Sequence, residues 1–323
     1  MLLKYFNSNR ISILLFISLL PVVYWIPSFF QSAAHAAPEP SGIPLGRWIL
    51  AFNRDFRILA SLLAMILVAV NAYLLVQLNI IHIFIPVRTQ LPSFFYALVV
   101  IGMTQLHQLT PALIASTMLI VLLFRIFSAY KIEGISIHFL DAGMLIALAS
   151  MVYFPSLVFF LFLLVGMTII RPFVWREWVF AILGLAIPYI FLISVYYLAD
   201  LPFADYLHDI AGSLKKPEQH FKLSQIVNWI YVLVFMLFSS YFMAEAMNKM
   251  KIHARKFFLV SLLLFLFSVL IYLLIRGAGA GMVYFVSIPL AYLFAYYFAK
   301  CPHTWYNELF FLLFLLLLLW QRI

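Results

Sequence analysis

The sequence predicts an all-α polytopic transmembrane bundle of about eleven spans, in the range of roughly ten to twelve. Three observations lead there. Residues 229–246, 257–275 and 282–299 are nearly unbroken apolar runs, each long enough to cross a hydrocarbon core of roughly 30 Å as a helix. Only 10% of the 323 residues are charged, while 67% are hydrophobic and 18% aromatic, too few polar groups to cover a soluble surface. No segment is both long and polar enough for a separate soluble domain, so residues 1–323 read as one integral-membrane domain. Mean hydropathy is +1.10, which agrees.

The first apolar segment, 11–30, follows Lys4 and Arg10 and precedes Ala34-His35-Ala36, a small-x-small pattern that suits signal cleavage. It is longer than a signal peptide's core and contains Pro21 and Pro27, so an uncleaved signal anchor is the expectation. The further segments lie near 58–81, 92–106, 110–127, 139–154, 156–170, 178–199, 226–247, 257–275, 282–299 and 307–320. Within 91–127 and 139–170, Pro111 and Pro155 fall near the middle of long apolar stretches. Proline removes a backbone donor and clashes with the preceding turn, so each stretch reads as two short helices in a hairpin. Basic residues concentrate in short connections on one side, most sharply at Lys249, Lys251, Arg255 and Lys256, which predicts a cytoplasmic N-terminus.

Two longer polar loops, near 31–57 and 200–225, then fall outside. In the first, residues 45–56 alternate apolar groups with Arg47, Asn53, Arg54 and Asp55, a pattern for a short helix in the interface. Asp55, flanked by Arg54 and Arg57, has the chemistry of a general base beside phosphate-binding guanidiniums, or of a charge cluster that fixes helix depth. In the second loop His208-Asp209 and Lys215-Lys216 combine a titratable pair with cations, suited to a phosphate-linked sugar or to a solvated loop. Arg276 leads into alternating glycines, Gly277, Gly279 and Gly281. That is either an anion-binding nest or a tight turn.

On the other side, Arg171, Trp175, Arg176 and Trp178 form the densest polar-aromatic cluster. They serve as membrane anchors or as a docking site for a partner subunit. Asp141, close to a span, calls for a defined partner, and Asn71 and Asn228 suit interhelical hydrogen bonds. Glu245 and Lys249 have the spacing of an ion pair. The lone Cys301 excludes an internal disulfide, and no His or Cys spacing suggests a metal or haem; neither metal nor cofactor is expected. Hydrolase, metalloprotease and nucleotide motifs are absent, and the net charge of +9 has no basic groove to present to nucleic acid.

Several elements together carry a resemblance: Arg88-Thr89-Gln90-Leu91-Pro92, Asp141-Ala142-Gly143, the run from Arg171 to Trp178, Pro188-Tyr189, Ile288-Pro289-Leu290-Ala291 and Trp305-Tyr306-Asn307-Glu308. Their order resembles an uncharacterised family of polytopic inner-membrane proteins of Gram-negative bacteria, which implies compartment and topology but no activity. A looser architectural likeness is to the GT-C glycosyltransferases and membrane polysaccharide polymerases. It implies a first-loop acid and basic outer residues that hold a polyprenyl-phosphate donor. Only Asp55 or Glu39 matches that acid, and the paired acids common there are missing from 31–57.

The expected function is therefore transfer or polymerisation of a polyprenyl-phosphate-linked sugar at the outer leaflet. Asp55 would be the base, and Arg47, Arg54 and Arg276 would balance phosphate charge, with His208 and Lys216 on the donor head group. The alternative is a non-catalytic subunit or scaffold of a secretion, motility or envelope-biogenesis complex. A transporter is third, because few acids sit at mid-membrane.

Overall fold

In a computed structural model the described residues are 44–300 without 84, 88, 104–107, 131–135, 215–222 and 248–249, together with Pro21, Trp25, Glu308, Phe311 and Leu312. The apolar segments expected near 11–30 and 307–320 fall largely outside them. Among the described residues the chain forms helices and no strand. They are α1 (Pro44–Asp55), α2 (Arg57–His82), α3 (Leu91–Met103), α4 (Pro111–Ser128), α5 (Ser136–Val152), α6 (Phe159–Ile170), α7 (Trp175–Leu198), α8 (Phe203–Ser213), α9 (Leu223–Met247), α10 (Ile252–Leu274) and α11 (Met282–Lys300). Six of these are long and apolar enough to cross a membrane; α3, α5 and α6 are shorter apolar helices.

Local chemistry explains the boundaries. Thr110 accepts a hydrogen bond from the Leu113 amide at 3.2 Å, and Pro111 follows at the first helical position, so α4 starts there. Pro155 lies in a 3-10 turn, Phe154–Val158, which separates α5 from α6. At the end of α2, Ile83 adopts a left-handed conformation with φ 49°, and the Asn79 side chain accepts the Ile85 amide at 2.9 Å.

Contacts at the helix ends sort the bundle into two faces. At one end, the Asn53 side chain donates to the Leu109 carbonyl at 2.7 Å, the Tyr153 hydroxyl donates to the Ala278 carbonyl, and Arg47 pairs with Asp209. At the other, Arg125 pairs with Asp141 at 3.4 Å and Lys256 donates to the Ile170 carbonyl at 2.8 Å. The His82 ring meets Phe127 and Phe257 at this second end. All these contacts agree with α2–α7 and α9–α11 running alternately up and down. We call the two faces the clasp end and the basic end.

A helix apolar on every side belongs in the centre of a bundle. All the residues of α3 are buried, and those of α11 are buried from Met282 to Phe298. The two pack together, with Phe95 stacked on Phe298 at 5.2 Å, and α2, α4, α9 and α10 surround them. The arms of each proline-broken stretch find their main partners elsewhere: α3 on α11, α4 on α5, α5 on α7 and α6 on α10. Inside this core Asn71 donates to the Tyr96 phenol at 3.1 Å, as its position in a span predicts. The Ser116 and Ser287 hydroxyls of α4 and α11 donate to carbonyls of their own helices, Leu113 and Tyr284, both at 2.8 Å.

The closest helix pair is α5 with α7. Leu140 lies against Gly184, Gly143 against residues 181–185, and the Ser150 hydroxyl meets that of Tyr189 at 2.7 Å. The two helices therefore run in the same direction, and α6 supplies the return crossing. On its far side α7 is open, with Ile190 61% and Phe191 71% exposed, as a lipid-facing surface requires.

Candidate functional site

Helix α1 buries Ile49 and Asn53 and turns Arg47, Trp48, Arg54 and Asp55 outward. Its seat is the buried Asn53, whose amide donates to the loop before α4. Helix α8 arises inside the second polar loop, where Phe203, Tyr206 and Ile210 recur at helical spacing. Tyr206 is buried at 3% exposure, and its ring packs on Tyr196 of α7 at 5.7 Å and on Phe203 at 5.6 Å.

The two loop helices meet where Arg47 of α1 pairs with Asp209 of α8. Of the pair, the Asp209 side chain is the more enclosed, at 19% exposure against 57% for Arg47. Three residues before Asp209 on α8, the Tyr206 hydroxyl has no hydrogen-bond partner among the described residues. Burial pushes its pKa well above the ordinary tyrosine value, and the neighbouring Tyr189 and Tyr196 phenols push the same way. The phenol therefore stays neutral and able to donate. Asn53 enters the sequence pattern only as a polar member of the interfacial helix, and Tyr206 is not among the expected residues. The spacing of Phe203, Tyr206 and Ile210 was the available signal.

The expected site residues are distributed as follows. Arg47 and Asp209 are joined, and His208 beside them is exposed. Asp55 and Arg54 are exposed at the far end of α1, and Asp55 stands eight residues from Arg47, about 12 Å along the helix. Arg276 opens a 3-10 turn, Arg276–Ala278, and Gly279 follows at φ 54°, a left-handed conformation open to glycine. The turn is held by the Tyr153 hydroxyl and lies at the clasp end. Lys216 lies outside the described residues, as does Lys249, the expected partner of Glu245. Among the described residues no three metal-ligating side chains converge.

At the basic end the cluster from Arg171 to Trp178 divides. Arg171 turns inward to Glu177 at 2.8 Å, and the Trp178 ring packs on Phe173 at 5.2 Å. Trp175 and Arg176 are exposed. Asp141 has the partner its position demanded, Arg125.

A clasp between partly exposed groups is worth little by itself. Asp209→Asn is expected to cost about 0–1 kcal/mol of stability. Thermal melts of Arg47→Ala, Asp209→Asn and the double variant should give a small, salt-sensitive coupling; a coupling above about 2 kcal/mol would contradict the exposure of Arg47.

Helices of this length and polarity, sorted into two polar ends around an apolar centre, define a multi-pass membrane-embedded protein. The chain belongs to a family of unknown function, DUF6427, whose profile matches residues 44–322. No curated protein and no solved structure matches it.

Proposed function

We propose that the protein acts in envelope glycoconjugate assembly in a bacterial inner membrane, transferring or polymerising a polyprenyl-phosphate-linked sugar at the outer leaflet. The basic end is cytoplasmic in this reading, along with the N-terminus. What carries it is the gathering of the candidate groups at one end. Asp55, the Arg47–Asp209 clasp, His208 and the Arg276 turn all belong to the clasp end.

Asp55 takes the proton of the acceptor hydroxyl, for which its exposure is suited. Because the Arg47 guanidinium is engaged by Asp209, charge on the departing phosphate falls chiefly to Arg54 and Arg276. His208, with Lys216, positions the donor head group. The test is mass spectrometry of polyprenyl-linked saccharides in cells lacking the protein, complemented with wild type or with Asp55→Asn. An intermediate should accumulate, and wild type alone should clear it while the variant is present at normal abundance. A saccharide profile unchanged by the deletion overturns the reading.

A second reading, a non-catalytic subunit of a membrane complex, draws on Trp175 and Arg176, which stand exposed side by side at the start of α7. It expects Trp175→Ala to lose a co-purifying subunit while Asp55→Asn changes nothing.

A further inference from the structure

Beside the Arg276 turn the bundle contains a cleft of about 390 Å³. Helices α9 and α10 both pack on α11, and the cleft is the wedge between them. Its floor is buried α11: Val283, Val286 and Leu290. Its rim is exposed, with Ile230 at 57%, Leu233 at 55% and Leu273 at 73%. The opening therefore faces sideways, between two candidate spans, at a depth where the surroundings are hydrocarbon. Trp229 and Tyr272 stack across the wedge at 6.3 Å and close it toward the clasp end, at the level where such rings settle in an interface. Gly279 and Ala280 of the turn line the cleft just above, immediately after Arg276.

We infer that this cleft binds the isoprenoid chain of a polyprenyl phosphate, with the phosphate at the Arg276–Gly279 turn. The inference rests on the polyprenyl-phosphate reading above and assigns its donor chain a place. Three features select that occupant. The lining side chains are apolar apart from the tips of Trp229 and Tyr272, so a polar ligand would lose its hydrogen bonds there. The cleft runs from Met282 to Leu290, a little over two turns or about 12 Å, yet it has room for about a dozen water-sized groups. A single straight chain of that length leaves part of this width empty, whereas the side methyls of an isoprenoid fill it. Finally, Gly279 and Ala280 bring the backbone of the turn to the mouth, where a phosphate on the chain's end would emerge, three residues along the chain from the basic Arg276. Moving a chain from lipid into the cleft exchanges one apolar medium for another, so shape rather than hydrophobicity decides what binds.

The experiment uses full-length protein in phosphatidylethanolamine–phosphatidylglycerol vesicles, with one photoreactive polyprenyl phosphate and one photoreactive diacyl phosphatidylglycerol. The polyprenyl probe should label peptides spanning 229–236 and 265–273, and unlabelled polyprenyl phosphate should compete where diacyl lipid does not. Val286→Trp fills the floor, and Leu233→Trp blocks the exposed rim without entering the core. Each should cut labelling at least about tenfold, while labelling of the open α7 face by the diacyl probe stays constant. Equal labelling of the cleft by the diacyl probe overturns the isoprenoid assignment. Polyprenyl labelling spread along α7 overturns the cleft itself. The readout is separate from activity: a labelled cleft in cells whose saccharide pool ignores the deletion upholds this site and removes the glycosyl-transfer reading. An unlabelled cleft with an accumulating intermediate does the reverse.

Discussion

Gly143→Leu is expected to prevent α5 and α7 from pairing and to leave little folded protein. Even Gly143→Ala should lower stability by about 3 kcal/mol, because a Cβ there would sit well inside van der Waals contact with the Ala181 carbonyl oxygen and 2.8 Å from the Leu185 amide nitrogen. Backbone atoms cannot rotate away as a side chain can. Gly184 is the reciprocal case, where a Cβ would strike the Leu140 carbonyl. In lipid, helices gain little from hiding apolar surface, and close backbone approach through small residues is a main source of association. The loss should propagate, since the pairing positions the Ser150–Tyr189 hydrogen bond and, at its end, the α7–α8 junction. Gly166 is the control. A Cβ there meets nothing within 4 Å, so Gly166→Ala should be neutral or stabilise by up to about 1 kcal/mol through helix propensity. Melting curves in detergent on all three variants decide the matter, and equal effects at Gly143 and Gly166 would remove the close-contact explanation.

Much of the architecture was legible because apolar run length and proline position are local quantities. Nine described apolar helices match the expected segments to within about five residues, six of them long enough to cross a membrane, and Pro111 and Pro155 mark the breaks. The amphipathic stretch at 45–56 also appears as expected, as α1. Other features were not local. The Arg47–Asp209 pair joins residues 162 positions apart, and neither residue's neighbourhood announces the other. The central place of α3 depends on which helices surround it; a run this short, read alone, looks like a span that fails to cross. Helix α8 was hidden for a different reason. Its polar pair His208-Asp209 points to a phosphate-linked sugar or to a solvated loop and not to a packed helix, although its apolar residues already have helical spacing. The glycines of α5 and α7 were visible, but their meaning lies in a partner helix that only the fold identifies.

The Arg171–Glu177 pair carries the second large effect. Arg171 ends α6, and Glu177 falls in the first turn of α7, where the helix dipole favours an anion. Side-chain exposures of 14% and 7% make the pair an enclosed one, unlike Arg125–Asp141 with 45% and 33%. Attraction between enclosed charges offsets the cost of removing both from water, so deleting one strands the other. Glu177→Ala is accordingly expected to cost about 3 kcal/mol, and the double change Arg171→Met with Glu177→Leu to recover most of it. Asp141→Asn, at the more open pair, should cost no more than about 1 kcal/mol. Melts of these variants, taken with a double-variant cycle, would show the distinction to be mistaken if Glu177→Ala and Asp141→Asn behaved alike. The same series separates the two roles open to this cluster. Arg171 holds the α6–α7 elbow, so its loss lowers stability whatever the protein binds. Trp175 stands 66% exposed, so Trp175→Ala should leave the melt unchanged, and any subunit lost with it must have been held by that surface.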